Sequence, residues 1–233
     1  MGKTLIQQAR GHGSLSHRVR RKAFSIYPHY VSQISGELIV RKLVNSTGHS
    51  APLAEIVSAD GKTSFVNIAA QGIYEGQKIM FGGKNNGDIS RLGDVEPGTQ
   101  VFNIEVKPKD GGKFVRTGGS SALVTGKTET CVKITLPSKQ EREFNLDCRA
   151  TIGVAAGSGR LDKPILKAGK MHFIKKSRNK LWPRTSAVKM NALDHPFGSG
   201  RGKRIKSKIA KNNSPPGAKV GHLHPRRTGR KKK

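Results

Sequence analysis

Acidic residues are almost absent from both ends of this 233-residue chain. Residues 1–35 carry six Lys and Arg and no Asp or Glu, and residues 151–233 carry 23 Lys and Arg against only Asp162 and Asp194. The 115 residues between them hold 15 basic and 13 acidic side chains, so the formal net charge of +29 divides into +6, +2 and +21. A segment with charges of one sign repels itself unless a polyanion neutralises it. The pattern predicts a near-neutral folded centre with two cationic extensions that contact nucleic acid.

Cysteine is scarce as well, which argues against a disulfide scaffold or a zinc finger. Cys131 and Cys148 are separated by 16 residues, whereas the ligands of structural zinc sites come in pairs about two to four residues apart. Both lie in apolar, strand-like surroundings, which favours buried reduced thiols over a metal site or a disulfide. His222 and His224 could supply two metal ligands, but no partner pair is near in sequence, so solvated or RNA-facing histidines are favoured.

Long apolar runs are missing too. Neither end has a run near the roughly 18 apolar residues that a membrane span needs, and Lys3–Gln8 is too short and too polar for a signal peptide. We therefore expect a soluble, cytoplasmic protein without a membrane partner.

Strand patterns begin at Glu37. Short apolar segments follow one another at Leu38–Val44, Leu53–Val57, Phe65–Ile68 and Gln77–Phe81. Asp60-Gly61 between two of them is a strong hairpin signal, because both central residues of the tight turn need positive φ. Four or five short strands within about 50 residues predict a small barrel, most like an oligonucleotide-binding (OB) fold.

A run of turn residues, Gly82–Gly87, marks the predicted end of this barrel. A second strand series follows at Thr99–Val106, Phe114–Arg116, Ser121–Thr125, Thr130–Leu136, Arg142–Leu146 and Arg149–Val154. It predicts a second small barrel. The Gly-rich loops Lys107–Lys113 and Thr117–Ser120 either leave backbone N–H groups bare for a phosphate backbone or simply form hairpin turns.

The two extensions lack the composition of a folded core. The first has no sustained helical or strand periodicity, so it is predicted to be extended and ordered only on its partner. In the second, a short helix is predicted around Pro164–Ser177, because proline suits the first helical turn, and the remainder should be irregular. Trp182, the only tryptophan, either stacks on a base or anchors this extension against the second barrel.

These patterns predict a mainly β chain with four parts. They are a basic N-terminal extension at 1–35, an OB-fold-like barrel at 36–84, a second barrel at 85–160 and a basic C-terminal extension at 161–233.

Catalytic motifs are also lacking: there is no phosphate-binding Walker A loop, zinc protease motif or dinucleotide fingerprint. Asp194-His195 is the one place for a general base, but adjacent residues rarely point at each other and no nucleophile can be placed beside them. The stretch makes more sense as a binding element. Pro196 fixes one backbone angle, the glycines at 198 and 200 permit close approach, and His195 can hydrogen-bond to or stack on RNA. Asp194 is expected to anchor a neighbouring Arg or a backbone amide.

Several motifs, in this order, resemble the universal ribosomal protein L2 family of the large subunit. They are Val101–Glu105, Gly111-Gly112, Arg116–Ala122, Cys148–Gly153, Met190-Asn191 and Asp194-His195-Pro196. The resemblance covers about Gly36–Arg204, and the runs CRATIG and Met-Asn…Asp-His-Pro…Gly are its most specific parts. The 233-residue length, with the start Met1-Gly2-Lys3 and then Ala9-Arg10-Gly11, is similar to the archaeal or eukaryotic branch and favours the archaeal one.

The resemblance implies an OB barrel joined to an SH3-like barrel, with extensions that thread into large-subunit ribosomal RNA (rRNA). It implies roles in assembling that RNA, in subunit association and in supporting the peptidyl transferase centre, where RNA does the chemistry. Implied partners are large-subunit rRNA, neighbouring ribosomal proteins and small-subunit rRNA at an intersubunit bridge. No cofactor is implied, apart from structural Mg²⁺ or K⁺ ions shared with the rRNA.

Site residues follow from the basic clusters, the Gly-rich loops and the family motifs. The predicted rRNA contacts are Arg10, Arg18, Arg20, Arg21, Lys22, Lys113, Arg116, Gly118, Gly119, Ser120, Arg149, Met190, Asn191, Asp194, His195, Pro196, Gly198, Gly200, Arg201, Lys203 and Arg204. The family's functional histidine corresponds to His195. Three departures from the family pattern put particular contacts in question: Phe197 replaces a second histidine, Phe102 stands where a histidine is common, and Ser138–Glu141 replaces a tighter turn.

Two other classes of function remain as alternatives. A chromatin-like protein that coats DNA is suggested by the Lys-rich tail, and a ribosome-independent hydrolase would use His195. A structural RNA-binding protein without enzymatic activity is the leading hypothesis.

Overall fold

The computed structural model describes residues 3–18, 21–203, 205, 209–210 and 213–223. The chain divides into two compact units: Arg20–Leu166, and Met1–Val19 together with Lys167–Lys233. Within the described part, no helix combines the length and the apolar character that crossing a bilayer requires.

The first sheet of the unit Arg20–Leu166 is antiparallel and four-stranded. Its strands are β1 (Glu37–Val44), β2 (Leu53–Ser58), β3 (Ser64–Ile68) and β4 (Lys78–Met80), in the spatial order β3-β2-β1-β4. The hairpin predicted at Asp60-Gly61 is confirmed, because Val57 pairs with Ser64, but of the two turn residues only Gly61 has a positive φ, of 69°. Leu38, Val40, Ile56 and Phe65 enter its core with Tyr30.

The second sheet is antiparallel and six-stranded. Its strands are β5 (Ile89–Arg91), β6 (Gln100–Phe102), β7 (Ala122–Lys127), β8 (Cys131–Thr135), β9 (Glu141–Asn145) and β10 (Arg149–Ile152), in the order β5-β10-β6-β7-β8-β9. The prediction of a mainly β chain with two consecutive β units is therefore confirmed. The division of the chain at residues 35, 84 and 160 stays a prediction.

Two details of the predicted strands are wrong. Phe114–Arg116 is not a strand but contributes a single bridge between Phe114 and Ile104. Val115 has a φ of 54°, which a β-branched residue adopts only under local constraint and which breaks the extended run. Conversely, β5 was not predicted.

The two sheets share apolar and polar contacts. Leu53 and Ile68 of the first sheet pack in one buried cluster with Phe102 of the second. A buried polar network lies nearby: the Tyr30 hydroxyl donates to the Asn103 carbonyl oxygen (2.9 Å) and hydrogen-bonds to Thr151 Oγ1 (2.6 Å), while Asn67 also donates to Thr151. Phe102, which stands where the family often has histidine, is thus a core residue.

The two cysteines are free, and their environments differ. Cys148 is completely buried in the core of the second sheet, as predicted, and burial raises the pKa of its thiol to about 11. Cys131 is only half-buried, contrary to the prediction, because it is the first residue of β8, where its Sγ contacts Thr128 Oγ1 at 3.0 Å.

The other unit contains few regular elements. They are α1 (Ile6–Gly11), α2 (Ala168–Ser177) and a short parallel pair, β11 (Ile209–Ala210) with β12 (His222–Leu223). The prediction of a wholly extended N-terminal segment is wrong, since α1 forms there and 3-10 turns follow at Leu15–His17 and, in the unit Arg20–Leu166, at Arg21–Phe24. The predicted helix near Pro164–Ser177 is confirmed as α2, which has no buried residue.

Candidate RNA-binding surfaces

The loop Met190–Gly200 is a compact turn held by its own backbone. Asn191 O accepts hydrogen bonds from the N–H groups of Asp194 (3.0 Å) and His195 (3.2 Å). The Ser199 N–H then closes the turn on Met190 O at 3.0 Å. Gly198 is required at the crossing point, because a Cβ there would collide with the carbonyl oxygens of Asn191 and Met190. The sequence-predicted cluster Met190, Asn191, Asp194, His195, Pro196, Gly198 and Gly200 is therefore brought together in one turn.

His195 is the buried side chain of this loop, with 9% of its surface exposed. Its Nδ1 accepts a hydrogen bond from the Phe197 N–H at 3.1 Å, and the two rings lie 5.1 Å apart. A ring nitrogen that accepts a hydrogen bond carries no proton, so in the neutral ring Nε2 bears the proton and is the donor left for a ligand. Phe197 stands where the family pattern has a second histidine, and here its ring packs against the ring of His195.

The N-terminal segment supports this loop from one side. The Lys3 N–H donates to Leu193 O at 2.9 Å, and Lys3 Nζ lies 3.1 Å from Asp194 Oδ1. Asp194 therefore anchors a lysine, where an arginine or a backbone amide was expected. Sequence analysis missed Lys3 because its partner is about 190 residues away along the chain, and no local pattern encodes such a contact.

A cavity of about 440 Å³ adjoins the open side of the loop. Its walls include Met190, Asn191, Gly200 and Arg201. A second cavity of about 870 Å³ lies between residues Lys3–Gln7 and the stretch from Leu181 to His195. The cations Lys3, Arg184 and Lys189 line it together with His195. Both cavities combine cations with hydrogen-bonding groups, which suits contact with RNA phosphate and sugar.

In the unit Arg20–Leu166, the loop Lys107–Lys113 does not present bare amides. Glu105 accepts hydrogen bonds from the N–H groups of Lys109 (3.3 Å) and Gly111 (3.0 Å), and Asp110 accepts from those of Val106, Lys107 and Gly112. Burial alone would raise the pKa of Asp110, but these backbone N–H groups and Lys113 lower it. The two carboxylates occupy these backbone donors, which favours the hairpin-turn alternative over bare amides for a phosphate backbone.

Three backbone N–H groups of the second Gly-rich loop, Thr117–Ser120, also have hydrogen-bond partners within the protein. The Gly118 N–H donates to Ser50 Oγ (3.0 Å), the Gly119 N–H to Ala155 O (2.8 Å) and the Ser120 N–H to Thr117 O (3.1 Å). A Cβ on Gly118 would lie 2.7 Å from Ser50 O. The glycines therefore allow close packing of three chain segments, and the hairpin-type interpretation fits better than the phosphate-binding one.

Arg149, one of the predicted RNA contacts, has a structural role in the fold. Its guanidinium donates to both carboxylate oxygens of Glu105, through Nε (3.0 Å) and NH2 (2.6 Å), and to Val31 O through NH1 (2.5 Å). The side chains of Arg149 and Glu105 are 6% and 0% exposed. The guanidinium is thus enclosed by Glu105 and Val31, and the predicted RNA contact of Arg149 stays a prediction.

Arg116 is also engaged with the protein. It donates to Gly112 O (3.1 Å) and Pro28 O (2.7 Å), and its guanidinium lies 5.7 Å from the centre of the Tyr27 ring. It remains half-buried, so part of it faces solvent. The structure thus places it beside an aromatic residue that sequence analysis did not select.

The other predicted cations are mostly exposed. Arg10, Arg18, Lys113, Arg201 and Lys203 all face solvent. Arg20, Arg204 and His224 lie outside the described residues, as do the side chains of Arg21 and Lys22. Across the described ranges, no group of three His, Cys, Asp or Glu side chains is arranged to hold a metal ion.

Two sheets with a shared core, exposed cationic segments and a hydrogen-bonded polar loop are typical of a structural RNA-binding protein. Comparison with known proteins specifies the family. The family model described as Ribosomal Proteins L2, C-terminal domain, matches residues 85–217. The chain belongs to the ribosomal protein L2 family.

Full-length relatives support the same assignment. The large ribosomal subunit protein uL2 of Hyperthermus butylicus is 41% identical over 242 residues, with 100% of both chains covered. The protein of the same name from Archaeoglobus fulgidus is 38% identical over 98% of this chain and 99% of its own. That of Saccharolobus islandicus strain L.S.2.15 is 40% identical over 99% of both. The resemblance to the archaeal branch is thereby confirmed.

Proposed function

We propose that this chain is a structural constituent of the large ribosomal subunit that binds large-subunit rRNA and neighbouring ribosomal proteins in the cytoplasm. The observation that carries the proposal is the division of charge: a centre of net +2 between extensions of +6 and +21. Such extensions repel themselves in isolation and are neutralised by an RNA backbone. The protein is not an enzyme, because its relatives are ribosomal proteins, a structural class.

The finer part of the proposal concerns the loop Met190–Gly200. According to this part of the proposal, the loop supports the peptidyl transferase centre, and the protein contacts small-subunit rRNA at an intersubunit bridge. Two features support this role: the turn is fixed by its own hydrogen bonds, and His195 keeps Nε2–H as a donor. Mg²⁺ or K⁺ ions at the surface would be shared with rRNA phosphates and not held by the protein alone.

Binding to large-subunit rRNA at several salt concentrations tests the first part. With roughly 6–10 phosphate contacts, the slope of log affinity against log salt should be near −5 to −9. A slope near zero, or equal binding to unrelated duplex DNA at high salt, would contradict the proposal.

Substitution of His195 by Ala tests the finer part. His195 lies outside the apolar clusters of both sheets, so we expect the barrels to keep their unfolding midpoint. The defect should appear in subunit joining or in peptide-bond formation by ribosomes that contain the variant. His172→Ala, which alters an exposed histidine on α2, is the matched control. If His195→Ala ribosomes assembled and translated normally, the loop would be a spacer and not a functional contact.

A further inference from the structure

Two exposed rings, Tyr27 and His29, lie side by side on the surface of the unit Arg20–Leu166. Their centres are 5.9 Å apart and their planes are inclined by 32°, and 63% of Tyr27 is exposed. Large aromatic side chains are usually buried, because each buries considerable apolar area. Two neighbouring rings left in solvent therefore need an explanation beyond packing.

The backbone of His29 and of the next residue is held by hydrogen bonds to other segments. The His29 N–H donates to Val66 O of β3 at 2.9 Å, and the next residue, Tyr30, donates to Gly111 O at 3.2 Å. His29 Nδ1 hydrogen-bonds to Tyr27 O at 3.0 Å. Because a carbonyl oxygen only accepts, Nδ1 carries the proton in this contact. The rings are therefore presented from a fixed segment, which reduces the entropy lost when a ligand stacks on them.

Cations surround the pair. Arg116 lies 5.7 Å from the Tyr27 ring centre and is fixed by the carbonyl oxygens of Gly112 and Pro28. A cavity of about 310 Å³ adjoins the rings, and Lys109, Asp110 and Gly111 also line it. Lys109 is exposed. The Asp110 side chain is only 13% exposed and pairs with Lys113 at 3.5 Å, so its charge is compensated.

We propose that Tyr27 and His29 form a stacking platform for an unpaired base of RNA, with Lys109 on the phosphate that follows it. Aromatic side chains bind unpaired bases by stacking, and a nearby cation neutralises the backbone. The surrounding Lys and Arg favour an anionic ligand over an apolar peptide. The inference rests on the proposed function, since it names one contact within the RNA that the chain binds.

A purely structural alternative is that Tyr27 serves only to cover Arg116. In that case loss of the ring would change stability and leave RNA binding unaltered. If the ring stacks on a base, its loss weakens RNA binding. The salt dependence of the affinity stays the same, because an uncharged ring neutralises no phosphate.

The test uses the full chain and a short single-stranded oligouridylate, with affinity measured over a series of salt concentrations. Tyr27→Ala should weaken binding about tenfold at every salt concentration without changing the salt slope. Tyr27→Phe should keep most of the affinity because the ring remains. Lys109→Ala should reduce the slope by about 1. Tyr74→Ala is the matched control, since Tyr74 is equally exposed, at 64%, in the same unit.

The outcomes separate the platform from the proposed function. If Tyr27→Ala bound like Tyr74→Ala while the wild type kept a steep salt slope, the platform would be refuted and the proposed function would stand. A wild type that bound no RNA would overturn both. As a second measurement, photocrosslinking of a 4-thiouridine oligonucleotide to the wild type should modify Tyr27 or His29, and crosslinks found only elsewhere would overturn the platform even if Tyr27→Ala failed to fold.

Discussion

At the scale of single residues, the buried pair Glu105–Arg149 is the main electrostatic anchor of the second sheet. Glu105 accepts five hydrogen bonds, two from loop amides and three from Arg149. Glu105→Gln would leave the Arg149 charge uncompensated, which costs about 3–5 kcal/mol for a buried pair. We expect the free energy of unfolding in urea to fall by that amount.

The matched control for this pair lies on the surface of the same sheet. Glu143 is 4.0 Å from Lys133, and both side chains are about half exposed. Glu143→Gln should change stability by less than about 1 kcal/mol, because exposed ion pairs are screened by solvent. Equal effects of Glu105→Gln and Glu143→Gln would show that Arg149 is not held by Glu105 in solution.

Cys148 makes the stability of the unit Arg20–Leu166 depend on pH in the alkaline range. Burial raises the pKa of its thiol from 9.0 to about 11. Between these values the folded state keeps a proton that the unfolded state releases, so stability is fully present below about pH 9 and falls as pH rises through the folded pKa, by at most about 1.4 kcal/mol per pH unit. The urea midpoint should therefore fall with rising pH across this range in the wild type. This fall should be smaller in Cys148→Ala and unchanged in Cys131→Ala. Burial also raises the pKa of Tyr30, whose contribution is common to all three proteins.

At the scale of elements, the loop Met190–Gly200 depends on close backbone approach at Gly198. Gly198→Ala would place a Cβ against the carbonyl oxygens of Asn191 and Met190, the latter at 2.6 Å. We expect the turn to open, with loss of hydrogen-exchange protection at Ser199, whose N–H donates to Met190 O. Gly169→Ala in α2, where a Cβ meets open space, should leave that protection unchanged. Unaltered protection in Gly198→Ala would mean that the turn tolerates a side chain.

The elements also show how far sequence could lead. Strands β1, β2 and β3 were predicted because alternating apolar residues and the Asp60-Gly61 turn are local signals. The hydrogen-bond partners of the loop N–H groups were not predicted, because Glu105 and Ser50 lie in other parts of the chain. A Gly-rich loop looks the same in sequence whether its donors face phosphate or a buried carboxylate. For the same reason the sequence did not show that Arg149 pairs with Glu105 inside the fold.

At the scale of the whole molecule, acidic residues are concentrated where the chain folds on itself. The buried carboxylate of Glu105 stabilises the second sheet, and Asp88 accepts hydrogen bonds from the N–H groups of Met80 and Asn85. Outside this region, Asp194 pairs with Lys3 and fixes the loop that carries His195. The acids therefore organise the protein, whereas the described cations Arg10, Arg18, Arg201 and Lys203 of the extensions are exposed.

This division between acidic and basic regions predicts that a mutation can lower the affinity for rRNA without changing the stability of the unit Arg20–Leu166. Residues 224–233 contain six Lys and Arg and no acid, so their deletion should lower affinity for large-subunit rRNA and make the salt slope shallower, by at most about 5. The urea midpoint of the barrel unit should not change, because that unit comprises Arg20–Leu166. Replacing the same cations by Gln gives a control that keeps the chain length. If the Gln variant bound with the wild-type slope while the deletion did not, the tail would act through its length and not through its charge.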